Sequence, residues 1–225
     1  MKYAVITFIF GKNKELLRKP LFKENIEYIC VTDQKDLKSS DWKIIIDDMP
    51  AVKCVRDKMV YVKYNPFKYT DADYACVIDG TLEIKNSLLP LFEQLNNYDI
   101  LVKPIPSKHS IYTALQEWIR TRNMPSNAIQ KFQVMAKHDK IDIYKNYLIE
   151  SCVLVYKNSP KTQELFNKEL DYMKFLGDNG NLFLSNQCVL TYIIQNEDFN
   201  IGYINQKLYF NRYWHNSKRV RLNNV

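Results

Sequence analysis

Tyr74-Ala75-Cys76-Val77-Ile78-Asp79-Gly80 is apolar for five consecutive positions and then closes on a carboxylate and a glycine. A strand with one wet face alternates apolar and polar side chains, so an unbroken apolar run predicts a strand covered on both sides within a parallel sheet. Asp79 stands where that strand leaves the sheet, and a carboxylate there is costly to desolvate unless something uses it. The same texture recurs outward in Tyr3–Phe10 (YAVITFIF), Tyr28–Thr32 (YICVT), Lys43–Ile46 (KIII), Ile100–Val102 and Cys152–Tyr156 (CVLVY). Between these runs, Val55–Asn65, stopped by Pro66, reads as a helix, as do Leu88–Leu95, Ile111–Thr121, Ser159–Phe175 and Ser185–Gln195. Strands alternating with helices predict an α/β fold with a mostly parallel central sheet flanked by helices. No composition break divides residues 1–225, so one domain is expected, ending in a basic and aromatic tail over residues 209–225.

The chain has 225 residues, 46% hydrophobic and 25% charged, enough to bury one sizeable core. Its five glycines (Gly11, Gly80, Gly177, Gly180, Gly202) form neither a G-x-G-x-x-G nor a P-loop spacing, which excludes a classical dinucleotide fold and a P-loop NTPase. The formal net charge of +7 favours anionic partners. No helix-turn-helix, zinc-finger or RNP signature accompanies it, so no nucleic-acid partner is expected. The five cysteines are odd in number and widely spaced, and most sit inside apolar runs, which reads as reduced buried thiols of a cytoplasmic protein. The opening apolar run, Tyr3 to Phe10, is too short to cross a membrane and has no cleavage site after it.

Ligands of open α/β sheets bind beyond the carboxyl ends of the strands, so polar residues just past the apolar runs are the first candidates. Thr7 and Phe8 near the end of the first run, Asp33 after the second, and Asp79-Gly80-Thr81 after the central one qualify. Asp33 suits a base or ribose hydroxyl, with a turn carboxylate as the alternative. Asp79 suits a divalent cation that also bridges phosphates. Arg56 and Lys63 lie two helical turns apart on one face with Met59 and Val60 between them, so both are placed to meet one anion; a solvated basic face explains them equally well. His109 follows a proline-containing loop, His138 sits in a charged run read as surface, and His215 is three residues before Lys218, a pairing suited to a metal and a diphosphate. Glu150 precedes the strand CVLVY, and Asn186 and Gln187 open the following helix. These three are placed to orient sugar hydroxyls, with Glu150 or Asp79 as base; helix capping is the alternative for Asn186.

In order, Tyr28-Ile29-Cys30-Val31-Thr32-Asp33, Arg56 and Lys63 before Asn65-Pro66-Phe67, and Val77-Ile78-Asp79-Gly80-Thr81-Leu82-Glu83-Ile84 resemble GT-A fold glycosyltransferases. More narrowly they are similar to a bacterial and plant family of glycosyltransferase-like domains linked to capsule, lipopolysaccharide and mucilage synthesis. Leu148–Asn158 is similar to that family's Glu-containing strand, and Ser185-Asn186-Gln187 to its Asp-Gln pair. The resemblance implies a GT-A (Rossmann-like) domain that transfers a hexose or deoxyhexose from a nucleotide-diphosphate sugar, UDP foremost, to a glycan or lipid-linked glycan. It puts Thr7, Phe8 and Asp33 near base and ribose, and Arg56, Lys63, Gly80, Thr81 and Lys218 near the diphosphate. His109, Asn186 and Gln187 would face acceptor or sugar. Asp79 would be the first acid of an Asp-x-Asp metal motif for Mn or Mg, with His215 as a further ligand. This chain departs from the pattern: Thr81 replaces the second acid, which puts the metal in doubt and motivates the alternative of a degenerate, non-catalytic nucleotide- or glycan-binding module. Asp79→Ala is expected to abolish transfer with the fold intact, and the tail to touch the inner membrane face peripherally.

Overall fold

The computed structural model describes residues 1–11, 17–52, 54–105, 109–122, 126–145, 147–176 and 186–212. In chain order its elements are β1 (Tyr3–Ile9), β2 (Glu27–Thr32), β3 (Lys43–Ile46), α1 (Val55–Lys63), β4 (Tyr74–Ile78), β5 (Leu82–Ile84), α2 (Leu89–Gln94), β6 (Ile100–Pro104), α3 (Ile111–Arg122) and α4 (Ala128–Asp139). β7 (Ile149–Lys157), α5 (Pro160–Leu176), α6 (Asn186–Asn196), β8 (Ile201–Tyr203), α7 (Gln206–Tyr209) and β9 (Phe210–Arg212) complete it, and one 3-10 turn spans Pro66–Lys68.

Seven strands form the central sheet in the order β3-β2-β1-β4-β7-β6-β8. β3, β2, β1 and β4 run parallel; β7 runs antiparallel to both its neighbours, and β8 is again parallel to β6. The sheet is therefore mostly parallel with one reversed strand, a mixed α/β architecture with helices packed on it. β1 and β4 read as continuous apolar runs because both are interior strands with both faces covered: Ala4, Ile6 and Phe8 join one buried cluster, Val5 and Ile9 the other. The first cluster also takes in Val60 of α1, Leu115 of α3, Phe132 of α4, Phe166 of α5 and Tyr192 of α6; the second includes Leu91 of α2, Leu82 of β5 and Phe210 of β9. Four of the five cysteines are buried and all five are free thiols.

The predicted strands and helices fall on observed ones, and five elements were not predicted: the twelve-residue α4 and the short β5, β8, α7 and β9. α1 ends at Lys63, its Tyr64 cap preceding Asn65 and Pro66, where the proline disfavours helix just before it. The one reversed strand has the largest consequence. Because β7 is antiparallel to β4, its first residues lie beside the carboxyl end of β4: Ile78 is opposite Val153, and the Asp79 amide donates to the Cys152 carbonyl at 2.9 Å. A register shift between Val102 and Lys103 re-aims β6 so that Lys103 stands opposite Glu150. A two-stranded ribbon completes that edge: β9 pairs antiparallel with β5, and Arg212 sits opposite Leu82, next to Thr81.

Candidate active site

At the carboxyl edge of β4 lies a cavity of about 230 Å³ whose walls include Phe8, Lys63, Asp79, Glu150, Asn186 and Arg212. Gly80, Thr81 and Gln187 also line it. Eight residues picked from sequence, dispersed between positions 8 and 187, are thus brought to one place.

Two ion-pair groups organise the cavity. Lys63 extends from the last turn of α1 into the protein, its side chain 5% exposed. Its Nζ lies 2.8 Å from Asp79 Oδ1, donates to the Ser151 carbonyl at 2.8 Å, and sits 5.6 Å from the centre of the Phe8 ring. Glu150 lies on the facing wall; its Oε2 accepts from Lys103 and its Oε1 pairs with Arg212 Nη1 at 2.8 Å. Burial pushes the Glu150 carboxyl up, but the hydrogen bond from Lys103 and the nearby Arg212 charge outweigh it and hold the group below the usual glutamate range. Burial raises the Cys152 thiol to about 12, which keeps that wall residue a neutral thiol. Asn186, at the start of α6, donates from Nδ2 to Ser151 Oγ at 3.2 Å, tying the helix to the β7 wall. Three cations (Lys63, Lys103, Arg212) thus bracket two carboxylates (Asp79, Glu150).

The other predicted residues lie elsewhere. Thr7 is buried and spends its hydroxyl on the Ile78 carbonyl at 3.1 Å. Asp33 accepts from the Gly11 amide at 2.8 Å and from Lys58 Nζ at 3.0 Å, stitching the end of β2 to the loop after β1, where Gly11 takes φ +73°, a conformation favouring glycine. Arg56 shares a helix stripe with Met59 and Lys63, but it is exposed whereas Lys63 points inward. His109 is exposed ahead of α3 and does not line the cavity, and His138 is exposed on α4. His215 and Lys218 fall outside the described residues. Sequence reasoning missed Met59, Ser151, Cys152 and Arg212 as wall residues. Met59 is one turn before Lys63, and Ser151 and Cys152 adjoin Glu150, so their spacing could have revealed them. Arg212 is legible in sequence only as one cation of the basic and aromatic tail, and its place in the wall arrives through the pairing of β9 with β5.

The resemblance implied a metal held by Asp79 and His215; His215 lies outside the described residues, and the described residues around Asp79 do not by themselves fit a metal. Thr81 offers no carboxylate, and no group of three or more His, Cys, Asp or Glu side chains able to hold a metal ion occurs among the described residues. Asp79 is already engaged by the Lys63 ammonium.

No protein-family model matches the sequence, and no curated protein matches it. Solved structures do match the fold. Mouse xyloside xylosyltransferase 1 aligns over 92% of this chain and 86% of its own at 13% identity with a TM-score of 0.50. Core-mannan synthase A of Aspergillus fumigatus, solved in a Mn/GDP form, aligns over 94% and 74% at 10% identity with a TM-score of 0.54. The galactosyltransferase LgtC, in complex with donor and acceptor sugar analogs, aligns over 91% and 74% at 11% identity with a TM-score of 0.50. Other matches are much longer than this chain, which spans 46% of the pneumococcal glycosyltransferase GlyE. The fold is that of the GT-A glycosyltransferases.

Proposed function

We propose that this chain is a glycosyltransferase that moves a hexose or deoxyhexose from a nucleotide-diphosphate sugar, UDP foremost, to a hydroxyl of a glycan or lipid-linked glycan. The supporting observation is the cavity at the carboxyl edge of β4, where Lys63 and Arg212 face Asp79 and Glu150 on a GT-A framework. In the proposed reaction the anomeric C–O bond of the donor breaks, its electron pair stays on the diphosphate oxygen, and the acceptor oxygen bonds to the anomeric carbon. The acceptor's proton passes to Glu150, whose ionised state is favoured by Lys103 and Arg212. Lys63 and Arg212 offset the charge that develops on the leaving diphosphate. Asn186 and Gln187 supply amides for sugar hydroxyls from the α6 wall.

Further parts of the same reading are one domain over residues 1–225, a cytoplasmic location, and contact with an anionic membrane face through Lys218, Arg219 and Arg221; of the expected tail (209–225), Tyr209–Arg212 are instead folded into α7 and β9. Among the described residues no helix is long and apolar enough to cross a membrane. The test is a panel of uridine and guanosine diphosphate sugars, read by heat-induced unfolding and by release of nucleotide diphosphate. Ligand-raised Tm with nucleotide release supports a transferase or donor hydrolase. Raised Tm with no release or transfer over a broad acceptor panel supports the alternative, a non-catalytic binding module, which Thr81 in place of the second acid also favours. No effect of any nucleotide refutes the reading.

A further inference from the structure

The mismatch between the Asp79 site and a metal has a positive counterpart in Lys63. It is one of the few charged side chains almost fully withdrawn from water, yet it lines the cavity. An ammonium has three N–H donors. That of Lys63 donates to the Ser151 carbonyl at 2.8 Å and, at the outer limit of a hydrogen bond, to Ser151 Oγ at 3.5 Å, and it forms an ion pair with Asp79 Oδ1 at 2.8 Å. Because the Ser151 Oγ contact is at that limit, a phosphate oxygen in the cavity that Lys63 lines can displace it and take its donor. The head group is fixed from three sides, by Asp79, by the β7 backbone and by the Phe8 ring face, so presenting that donor requires no reordering of a long flexible side chain.

We propose that Lys63 is the resident cation of this site: its ammonium, held by Asp79, binds the diphosphate of the donor, so that binding and departure of the nucleotide diphosphate need no divalent metal. This rests on the nucleotide-sugar reading above. Asp79 then acts as the positioning residue for Lys63 rather than as a metal ligand. As the bond from the anomeric carbon to the diphosphate oxygen breaks, the oxygen keeps the electron pair and Lys63 donates to it without losing its proton. Atoms and charge balance with the acceptor's proton on Glu150.

The test is isothermal titration of the full chain with UDP and GDP, and with the matching monophosphates, in EDTA and in MnCl₂. The expected result is a diphosphate Kd that agrees within about twofold between EDTA and Mn, and that weakens tenfold or more in Lys63→Met while monophosphate affinity moves less than about threefold. Lys63→Arg, which keeps the charge, is expected to recover most of the loss. The monophosphate arm separates a lost phosphate contact from a merely disturbed fold, which would weaken both ligands alike. The double variant Lys63→Met/Thr81→Asp is expected to acquire Mn-dependent diphosphate binding, since it removes the competing cation and restores a second acid. Tight diphosphate binding that requires Mn in the unaltered chain, or a Lys63→Met chain that binds diphosphate as before, overturns the proposal and leaves the transferase reading standing. Absence of nucleotide binding in every arm overturns both.

Discussion

Removing the Asp79 carboxylate tests how the cavity is held together. Asp79→Ala leaves the Lys63 ammonium, 5% exposed, with the Ser151 carbonyl but no counter-charge. Breaking a fully buried ion pair by deleting one partner costs about 3–5 kcal/mol, whereas an exposed pair is worth about 0–1 kcal/mol. The Asp79 side chain is 31% exposed and borders the cavity, so water can enter beside Lys63 and the case lies between these limits. A loss of about 2 kcal/mol follows, equivalent to a Tm lower by roughly 4–8 °C for a domain of this size. A loss of this size weakens the fold while leaving it intact, because the residue closing β4 supports a buried lysine as well as facing the cavity. The assay is a double-mutant cycle in urea among Asp79→Ala, Lys63→Met and their combination. The double variant should lose markedly less than the sum of the singles, with a coupling of roughly 1–2 kcal/mol. Additive losses, with coupling under about 0.5 kcal/mol, would refute the claim that the two charges are energetically joined.

Three further outcomes are expected. Glu150 is held below its ordinary range, so its charged form stabilises the native state above the unfolded carboxylate pKa and that contribution is lost as pH falls through the folded value. The stability gap between the unaltered chain and Glu150→Gln should shrink between about pH 7 and pH 3, and a gap constant across that window would contradict the ion-pair account. Glu169 is fully buried beside the equally buried Tyr64 and Tyr156, and burial raises its carboxyl well above the usual range. An acid raised in this way favours the native state only while protonated, so stability falls as pH rises past the unfolded value; Glu169→Gln, permanently neutral, should gain on the unaltered chain between about pH 4 and pH 8 in urea titrations, and no relative gain would count against it. A Cβ at Gly202 of β8 would lie 2.5 Å from Leu101 Cδ2 and 2.7 Å from Tyr98 Cδ2, so Gly202→Ala should cost about 1–3 kcal/mol by forcing that packing apart, and a change under about 0.5 kcal/mol would show that the contact yields freely.

The sequence by itself determined the sheet's interior and the location of its functional edge. Continuous apolar runs such as Tyr3–Ile9 and Tyr74–Ile78 admit little besides strands buried on both faces, and Asp79 closing one of them marks where polar chemistry begins, because local hydrophobicity and desolvation cost are written residue by residue. The i, i+4 spacing of Ala128, Phe132 and Ala136 would have disclosed α4 to the same kind of reading. Tertiary structure alone decided the rest. β5 and β9 have three residues each and mean little until they pair across more than a hundred positions, which delivers Arg212 to Glu150. The reversal of β7 brings Glu150 to the edge that Asp79 occupies, and the inward turn of Lys63, unlike exposed Arg56 on the same helix stripe, makes a lysine the partner of Asp79. Which cation meets which carboxylate depends on pairing and burial over long sequence separations, and such contacts leave no trace in local composition or periodicity.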